Sequence, residues 1–239
     1  MRTVTAKART PVCLNNRQVT RLLKRLNTAR STEARLEEAS GFFIDHGYSQ
    51  DPLGGGSQLR EVFRASLGAF DCVTYMESVL ALAASSNADE FAKHLRQMRY
   101  RNGKVDWFER NHYMAAWLAN NKRLGVLADL TRGRETILKT RTLDVVQGLP
   151  SRRVTFRCFP KRRFTRIKHR IRTGDLILFV STRKHLDVFH TGILITRDDR
   201  VLLRHAARSA GKVIEQDLGD FLKNNRMSGF ILARPLCRP

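Results

Sequence analysis

The sequence predicts an α+β fold in which helices, one of them beginning with a cysteine, pack on an antiparallel β-sheet. Two observations support this prediction. Apolar residues recur at helical spacing through the first part of the chain. Four short apolar runs follow in the last third, near residues 176–180, 188–195, 201–205 and 229–233. The connections between these runs are short, which favours antiparallel neighbours.

Charge and composition indicate a globular domain that attracts polyanions. The chain has 239 residues, is 42% hydrophobic and carries a formal net charge of +22. Its apolar content suffices for one domain with a substantial core. The positive charge attracts polyanions such as nucleic acid, anionic lipid or acidic wall polymers. No apolar run reaches the roughly 18 residues that a membrane helix needs, and the N-terminus lacks the apolar core of a secretory signal, so neither is predicted. Three alternatives stay open: a cytoplasmic protein, a signal that has been removed, or another export route.

The first predicted elements are two helices and a glycine-rich loop. A helical pattern covers residues 15–44, within which Ser31 or Thr32 can cap a second helix. We therefore predict a basic helical N-terminal segment, residues 1–40, ahead of a main domain, residues 41–239. Residues 51–56 (DPLGGG) lack the Lys-Ser/Thr of a P-loop, so we interpret them as a turn or a substrate-side loop.

The next helix, predicted over residues 71–84, begins with a cysteine. Asp71 is a good N-cap because its carboxylate can accept a hydrogen bond from a free backbone N–H. Cys72 is then the first helical residue, where unpaired N–H groups and the helix macrodipole favour a thiolate. The thiolate is the reactive form of cysteine. The alternative interpretation is a small buried core cysteine.

An aromatic and basic stretch, residues 107–118, follows a further predicted helix at residues 88–98. One interpretation is an amphipathic helix with Tyr113 in the core. The other is a cleft wall in which Arg110 and His112 face a ligand that carries a carboxylate. Beyond it, residues 125–150 read as a mixture of helix and loop without a signal for a site.

Residues 151–172 contain ten Lys or Arg and no acidic residue. Alternation within this run predicts a strand over residues 154–159. Basic residues beside aromatic ones are compatible with nucleic-acid binding, but no nucleic-acid motif accompanies them. A contact with an acidic polymer and a solvated strand face are the other interpretations.

Two histidines, His190 and His205, belong to neighbouring predicted strands. If the intervening turn centres between Arg197 and Asp198, they lie directly opposite each other; if it centres one residue later, they are diagonal neighbours. Side chains alternate between faces along a strand, so both registers place the two rings on one face. A slip of one residue would separate them.

These residue types suit nucleophilic catalysis. A cysteine nucleophile needs a base within hydrogen-bond reach, and a neutral imidazole serves at pH 7. The base needs a second group that fixes its orientation. We assign Cys72, His190 and His205 to these three roles in that order. The backbone N–H of Cys72 and the hydroxyl of Tyr48 are the candidate donors to an oxyanion.

A metal site made from the same three side chains is less favoured, because a structural zinc normally has four ligands and no fourth stands out. The four cysteines form no CxxC pair, which disfavours a zinc ribbon or a redox motif. We predict neither a metal nor an organic cofactor.

Five stretches resemble the papain-like bacterial cell-wall cysteine hydrolases of NlpC type, and above all their N-acetylmuramoyl-L-alanine amidase-like subgroup. The first two, FDCVTY and GDLILF, are similar to the Asp-Cys-Ser/Thr helix start and the Gly-Asp strand. The others are similar to the His-Val-Gly-Ile strand with the third catalytic position, and to the subgroup's Arg-Tyr-Arg-Asn-Gly and Arg-x-His-Tyr stretches. They lie at residues 70–75, 174–179, 187–193 with 203–206, 99–103 and 110–117.

This resemblance implies a papain-like domain that hydrolyses peptidoglycan or muropeptides at the N-acetylmuramoyl-L-alanine amide, in the periplasm or after secretion. It also implies substrate binding near the cysteine, for which we name Tyr48, Asp71, Arg110, His112 and Tyr113. The broader family implies an alternative, cleavage between D-glutamate and the diamino acid. A basic nucleic-acid-binding protein without catalysis is the alternative from another class.

Overall fold

The computed structural model describes residues 16–29 and 31–236. The first two helices, α1 (Asn16–Leu26) and α2 (Thr32–Phe42), agree with the predicted helical pattern. Ser31 caps α2 by accepting a hydrogen bond from the backbone N–H of Ala34, as the sequence predicts. The apolar residues of α1 are buried in the same hydrophobic core as the rest of the chain. Residues 1–15 of the predicted N-terminal segment lie outside the described residues.

Helix α3 (Cys72–Ala83) is the centre of this core. Ten of its twelve residues are buried. It packs against α2, against α4 (Ala88–Arg99) and against the sheet. The burial of nearly every position explains why its sequence is apolar all round instead of amphipathic.

The described residues form one sheet of eight strands in the order β2-β1-β9-β8-β7-β6-β10-β3. Pairing is antiparallel except between β1 and β2. A separate hairpin consists of β4 (Ile137–Leu143) and β5 (Arg152–Cys158). The strands of the main sheet are β1 (Gly47–Tyr48), β2 (Ala69–Phe70), β3 (Leu127–Asp129), β6 (Leu176–Val180), β7 (Val188–Arg197), β8 (Arg200–Ala207), β9 (Lys212–Asp217) and β10 (Gly229–Pro235).

Both faces of the sheet are covered. One face contributes Leu178, Ile193 and Ala206 to the core around α3. The other contributes Phe179 and Leu203 to a second cluster with the short helices α6 (Phe164–Ile167) and α7 (Leu218–Asn224). The α+β arrangement of helices on a mostly antiparallel sheet is therefore confirmed, whereas the narrower papain-like assignment stays a prediction.

Two segments differ from the predictions. Helix α5 begins only at Met114 (Met114–Arg123), because Trp107–Glu109 form a separate 3-10 helix and a backbone bridge between Tyr100 and Arg110 interrupts the helical stretch. Strands β3 and β4 occupy residues that the sequence assigned to helix and loop. Strand β4 is mostly exposed and polar, so it lacks a clear apolar alternation, and its pairing with β5 defines it. Strand β9 was not predicted for a similar reason, since only Val213 in it is fully buried.

Candidate active site

Cys72 is the first residue of α3, and Asp71 fixes this position. The Asp71 carboxylate accepts a hydrogen bond from the Thr74 backbone N–H at 2.7 Å, and the Thr74 hydroxyl accepts one from the Asp71 N–H at 3.0 Å. This reciprocal capping box defines where the helix starts. The Asp71 carboxylate is thus engaged in the cap, so the structure gives it a positioning role for Cys72.

The thiol of Cys72 is protonated at neutral pH. Burial of the sulfur and, second, the charge of Asp71 raise its pKa to about 12. Interactions with Thr191 and with the backbone N–H of Cys72 act in the opposite direction but are outweighed. The expectation that the helix start favours a resting thiolate is therefore wrong here, because desolvation disfavours the charged form. A nucleophilic Cys72 would need a base.

The two histidines meet on one face of the sheet. Strands β7 and β8 pair from Arg197 with Arg200 to Ile193 with Arg204, so the turn centres between Asp198 and Asp199. This is the second of the two predicted registers. His190 Nε2 lies 2.6 Å from His205 Nδ1, and the rings meet edge to face at 84°.

Both rings are neutral at pH 7. Burial, followed by the neighbouring His205, lowers the pKa of His190 to about 3. Burial lowers the pKa of His205 to about 4. The His190 ring also stacks on Phe221 with a centroid distance of 5.8 Å. The pair is therefore packed as an uncharged unit, the state in which an imidazole can accept a proton.

Thr191 links β7 to the start of α3. Its hydroxyl donates a hydrogen bond to the Cys72 carbonyl at 3.0 Å, which holds the residue after His190 against the start of α3. In the described part of the chain, the β7–β8 ladder ends at Ile193 and Arg204, although both strands continue. The start of α3 thus meets β7 where this ladder has ended. No hydrogen bond joins the sulfur to either ring among the described residues, so the structure leaves the contact of Cys72 with His190 as a prediction.

Gly192 allows the two strands to approach beside the histidines. A Cβ atom at this position would lie 2.8 Å from the Arg204 carbonyl oxygen and 3.2 Å from the His205 Cβ. Contacts this short with backbone would push β8 away from β7. Gly192, two residues after His190, is therefore required because a side chain there would collide with β8.

Sequence reasoning missed Gln216. The amide Nε2 of Gln216 lies 2.6 Å from His205 Nε2, on the side of the ring opposite His190. Gln216 belongs to β9, the strand that the sequence pattern did not reveal. The residues around Gln216 are polar and partly exposed, so their pattern does not predict a strand. Only the pairing of β8 with β9 brings Gln216 to the His205 ring.

Tyr48 lies near Cys72 and Asp71. Burial raises the pKa of its phenol, and the next two causes are the nearby Cys72 and Asp71. Strand β1 holds it in place through the pairing of Tyr48 with Phe70, two residues before Cys72. The hydroxyl stays protonated and can act as a donor at this end of α3.

The other predicted binding residues have partners inside the chain. The Arg110 guanidinium binds Glu61, its Nη2 also donates to the Gly54 carbonyl at 2.9 Å, and it covers the Trp107 ring at 4.9 Å. His112 Nε2 lies 2.8 Å from the Trp107 carbonyl. The hydroxyl of Tyr113 accepts a hydrogen bond from the Val146 N–H at 3.1 Å. Arg110 is therefore committed to an internal carboxylate.

These contacts belong to a buried ionic network that holds the glycine loop. Glu61 also accepts a hydrogen bond from the Tyr100 hydroxyl at 2.6 Å. Glu77 of α3 accepts one from Arg99 at 2.8 Å and one from the Trp117 indole at 3.0 Å. Burial raises the pKa of Glu77, and Arg99 opposes that shift. The two arginine-containing stretches at residues 99–103 and 110–117 thus bind carboxylates of the protein itself.

A groove of about 950 Å³ lies between α5 and the β4–β5 hairpin. Neither Cys72 nor the two histidines line it. Its wall combines aromatic and basic side chains, which include Phe108, His112, Tyr113, Arg152 and Phe156. Burial lowers the pKa of His112, so its ring is uncharged in this wall.

The described residues hold neither a cluster of metal ligands nor a helix that could span a membrane. Within residues 16–29 and 31–236, no three or more His, Cys, Asp or Glu side chains converge as a metal site. The grouping of Cys72 with both histidines as metal ligands therefore has no support in the structure. None of the described helices is long and apolar enough to span a bilayer.

Comparisons with known proteins agree with this architecture. A Legionella pneumophila protein superposes with a TM-score of 0.80 at 22% identity, over 93% of this chain and 96% of that one. An N-acetylmuramoyl-L-alanine amidase from Bacteroides uniformis superposes with a TM-score of 0.74 at 24% identity, over 85% and 98%. A Bacteroides fragilis protein provisionally named a xylanase gives 0.71 at 25% identity, over 82% and 98%. These likenesses describe the fold.

A search of curated protein sequences found no match. A family model, in contrast, covers most of the chain. It matches residues 38–230, from α2 to the start of β10, and so includes Cys72, His190 and His205. The chain belongs to the AmiA-like family, described as N-acetylmuramoyl-L-alanine amidase-like.

Proposed function

We propose that the protein is a cysteine-dependent peptidoglycan hydrolase that cleaves the amide between N-acetylmuramic acid and L-alanine. Family membership supports this substrate, and the Bacteroides uniformis relative carries the activity in its name. In this proposal Cys72 is the nucleophile, His190 is the base and His205 orients the base. The NlpC-type and papain-like assignments are part of the same proposal.

The observation that carries the proposal is the hydrogen bond from Thr191 to the Cys72 carbonyl. It holds Thr191, the residue after His190, against the start of α3, while His190 and His205 are hydrogen-bonded to each other on the face of the sheet that packs against Phe221 of α7. The same short stretch of β7 thus contacts the start of α3 and carries the candidate base. Catalytic hydrogen bonds are often long in unliganded enzymes and tighten only with substrate bound.

The pKa values define how the first step proceeds. Proton transfer from a thiol with a raised pKa to an imidazole with a lowered pKa is unfavourable before attack. We therefore expect the proton to move to His190 as the sulfur bonds to the substrate carbonyl carbon. Negative charge then passes to the carbonyl oxygen, for which the Cys72 N–H at the helix start and the Tyr48 hydroxyl are the donors.

The second half of the reaction returns the enzyme to its resting state. The protonated His190 gives its proton to the nitrogen of the leaving L-alanine, and the C–N bond breaks to leave a thioester on Cys72. His190 then takes a proton from water, whose oxygen attacks the thioester. Breakdown releases the muramoyl carboxylate, and the proton returns to the sulfur.

The substrate places this activity in the cell wall, so we propose that the protein works in the periplasm or outside the cell. The exposed basic residues of β5 and the segment after it would bind the anionic wall. Arg152, Arg153, Arg162 and Arg170 are exposed, and among the described residues none of the four forms an ion pair. A nucleic acid would meet the same charges, which makes it the competing partner.

Digestion of purified muropeptides followed by mass spectrometry tests the proposal. The expected products are stem peptides with a free L-alanine N-terminus and intact glycan. Cys72→Ala should abolish their release, because it removes the sulfur that forms the thioester. Cys158→Ala is the matched control, since Cys158 is a buried free cysteine of β5 away from the candidate site.

Three other outcomes would assign another activity. A free amino group on the diamino acid would indicate the D-glutamate–diamino acid endopeptidase. New reducing ends would indicate a glycosidase. Full activity of Cys72→Ala with the expected products would retain the bond and overturn the cysteine mechanism.

A further inference from the structure

We infer that Gln216 is a positioning residue that sets the tautomer of His205 and, through it, the nitrogen at which His190 accepts a proton. This inference rests on the proposed function. Three side chains from three adjacent strands form one line of hydrogen bonds: His190 on β7, His205 on β8 and Gln216 on β9. The two links are 2.6 Å each, from His190 Nε2 to His205 Nδ1 and from His205 Nε2 to the Gln216 amide.

The strand register creates this line. Leu203 pairs with Gln216 and His205 pairs with Ile214, so Gln216 is the diagonal neighbour of His205 on the same face. His205 is 3% exposed, and both of its ring nitrogens are occupied by protein partners. Its orientation is therefore held from both sides.

The positions of the ring hydrogens on His190 and His205 depend on Gln216, the last residue of the line. A neutral imidazole carries one N–H, so each nitrogen–nitrogen link contains one hydrogen that one ring must supply. His190 Nε2 is occupied by His205, which leaves Nδ1 as the nitrogen available to the thiol. For Nδ1 to accept a proton, the hydrogen of His190 must be on Nε2. His205 then accepts at Nδ1 and must donate from Nε2.

A donating His205 Nε2 requires an acceptor, and the Gln216 amide supplies one through its carbonyl oxygen once it is turned by 180° from the orientation in the structure, where Nε2 faces the ring. With the NH₂ group toward the ring, every hydrogen in the line would be reversed. The hydrogen of His190 would then lie on Nδ1 and block proton transfer from Cys72. The two orientations have the same shape, since the amide nitrogen and oxygen are nearly equivalent in size. Catalysis requires the orientation with oxygen toward His205.

No carboxylate competes for this role among the described residues. Glu215 on β9 binds Arg204 at 2.6 Å, and Asp217 caps α7 by accepting a hydrogen bond from the Asp220 N–H. Apart from His205 acting on His190, no charged group perturbs either ring. The other titratable groups at this end of α3 are Asp71, Cys72 and Tyr48, and the Arg208 guanidinium acts on Tyr48. The line therefore ends in a neutral amide, and this keeps both imidazoles uncharged.

The test combines activity with a measurement that needs no substrate. In Gln216→Leu, which keeps the size and removes the acceptor, we expect kcat to fall about 10- to 100-fold with KM unchanged, part of the 10²–10⁴ that general acid–base catalysis contributes. In Gln216→Glu we expect kcat to recover and the acidic limb of kcat/KM to move to higher pH. The reason is that a carboxylate favours the protonated rings. Gln147→Leu, at an exposed glutamine of the β4–β5 loop, is the matched control.

Nitrogen NMR of the histidine rings separates this inference from the proposed function. In the wild-type protein at pH 7, both His190 and His205 should carry hydrogen on Nε2, and Gln216→Leu should mix the two tautomers of His205. Hydrogen on Nδ1 of His190 in the wild-type protein would overturn the inference, whatever the substrate. The expected tautomers without any muropeptide cleavage would retain the inference and reject the amidase. An unaltered kcat in folded Gln216→Leu would reject Gln216 as a positioning residue.

Discussion

Two polar clusters, one across strands β7, β8 and β9 and one between α3 and the glycine loop, handle charge in opposite ways. The sheet cluster, defined as His190, His205 and Gln216, is a line of neutral groups with lowered histidine pKa values. The loop cluster, defined as Glu61 with Arg110 and Glu77 with Arg99, consists of two buried ion pairs. The first can change its protonation state, whereas the second keeps its charges by pairing them.

This difference indicates separate tasks. Removing one partner of a buried ion pair leaves an uncompensated charge, so such pairs fix a conformation firmly. The loop cluster ties the glycine loop to residues 99–117, and Glu77 ties this assembly to the helix that carries Cys72. A neutral imidazole pair contributes less to stability but can accept and return a proton. We therefore expect substitutions in the sheet cluster to affect activity and substitutions in the loop cluster to affect stability.

The largest expected effect is that of His190→Gln on activity. Loss of the base should lower kcat by roughly 10²- to 10⁴-fold, the contribution of general acid–base catalysis, and leave the urea midpoint close to that of the wild type. His185→Gln is the control, because His185 is exposed and pairs with the exposed Asp144. A large loss of stability without a loss of specific activity would contradict the separation of tasks.

The second effect is that of Arg110→Met on stability. The substitution leaves the carboxylate of Glu61 buried without its cation, which should cost about 3–5 kcal/mol of the free energy of unfolding. Urea unfolding followed by circular dichroism measures this loss. Arg101→Met is the control, since Arg101 forms an exposed ion pair with Glu109 and such pairs contribute about 0–1 kcal/mol.

A double variant, Glu61→Gln with Arg110→Met, sharpens this prediction. It removes both charges, so it should be more stable than Arg110→Met alone. If the double variant is the less stable of the two, packing of the arginine against Trp107 outweighs its charge, and the loop cluster is not primarily ionic.

The third prediction concerns the pH dependence of stability. The pKa values of His190 and His205 in the folded protein lie below the ordinary 6.5 of histidine, at about 3 and about 4. As pH falls below 6.5, the unfolded chain binds protons at these rings that the folded protein does not. Stability is therefore complete above pH 6.5 and falls toward pH 4, by about 1.4 kcal/mol per pH unit for each ring.

Comparison of wild type with His205→Gln isolates this effect. In urea titrations between pH 6.5 and pH 5, the free energy of unfolding of the variant should fall less steeply with pH than that of the wild type, by the contribution of one histidine ring. The buried carboxyls Asp71, Glu77 and Asp187 have raised pKa values and act in the opposite sense, but they are the same in both proteins. Equal slopes would mean that His205 titrates normally in the folded state and that the sheet cluster is not a neutral unit.

The same contrast explains how far the sequence could be interpreted. The period of two along β7 and β8 is enough to place His190 and His205 on one face, and the N-cap pattern at Asp71 is enough to begin a helix at Cys72. Both signals are local in sequence. The one thing they leave open for the histidines is where the β7–β8 turn is centred, and the pairing of Arg197 with Arg200 fixes that position.

The remaining features depend on partners that are distant in sequence. Glu61 lies 49 residues from Arg110, and nothing in either segment identifies the other. Arg110 therefore looked like a free cation for a substrate, although it binds an internal carboxylate. The pKa of Cys72 was misjudged for a related reason, because desolvation by the tertiary structure outweighs the local field of the helix start. Gln216 was missed because its strand is defined by pairing and not by its own pattern.

The smallest expected effect concerns charges that belong to neither cluster. Arg152 and Arg153 are exposed at the start of β5, and the structure gives their guanidinium groups no ion pair among the described residues. The double variant Arg152→Gln with Arg153→Gln should slow digestion of intact anionic sacculi a few-fold at low salt and leave soluble muropeptides unaffected. The difference should vanish near 1 M salt, where the Debye length is about 3 Å.

Arg17→Gln with Arg21→Gln on α1 is the matched control, since both residues are exposed on a different element. If the β5 variant instead loses salt-sensitive retention on DNA and digests sacculi normally, the exposed arginines of β5 bind a nucleic acid and not the cell wall. Only the paired charges of the loop cluster would then remain connected with the site at Cys72.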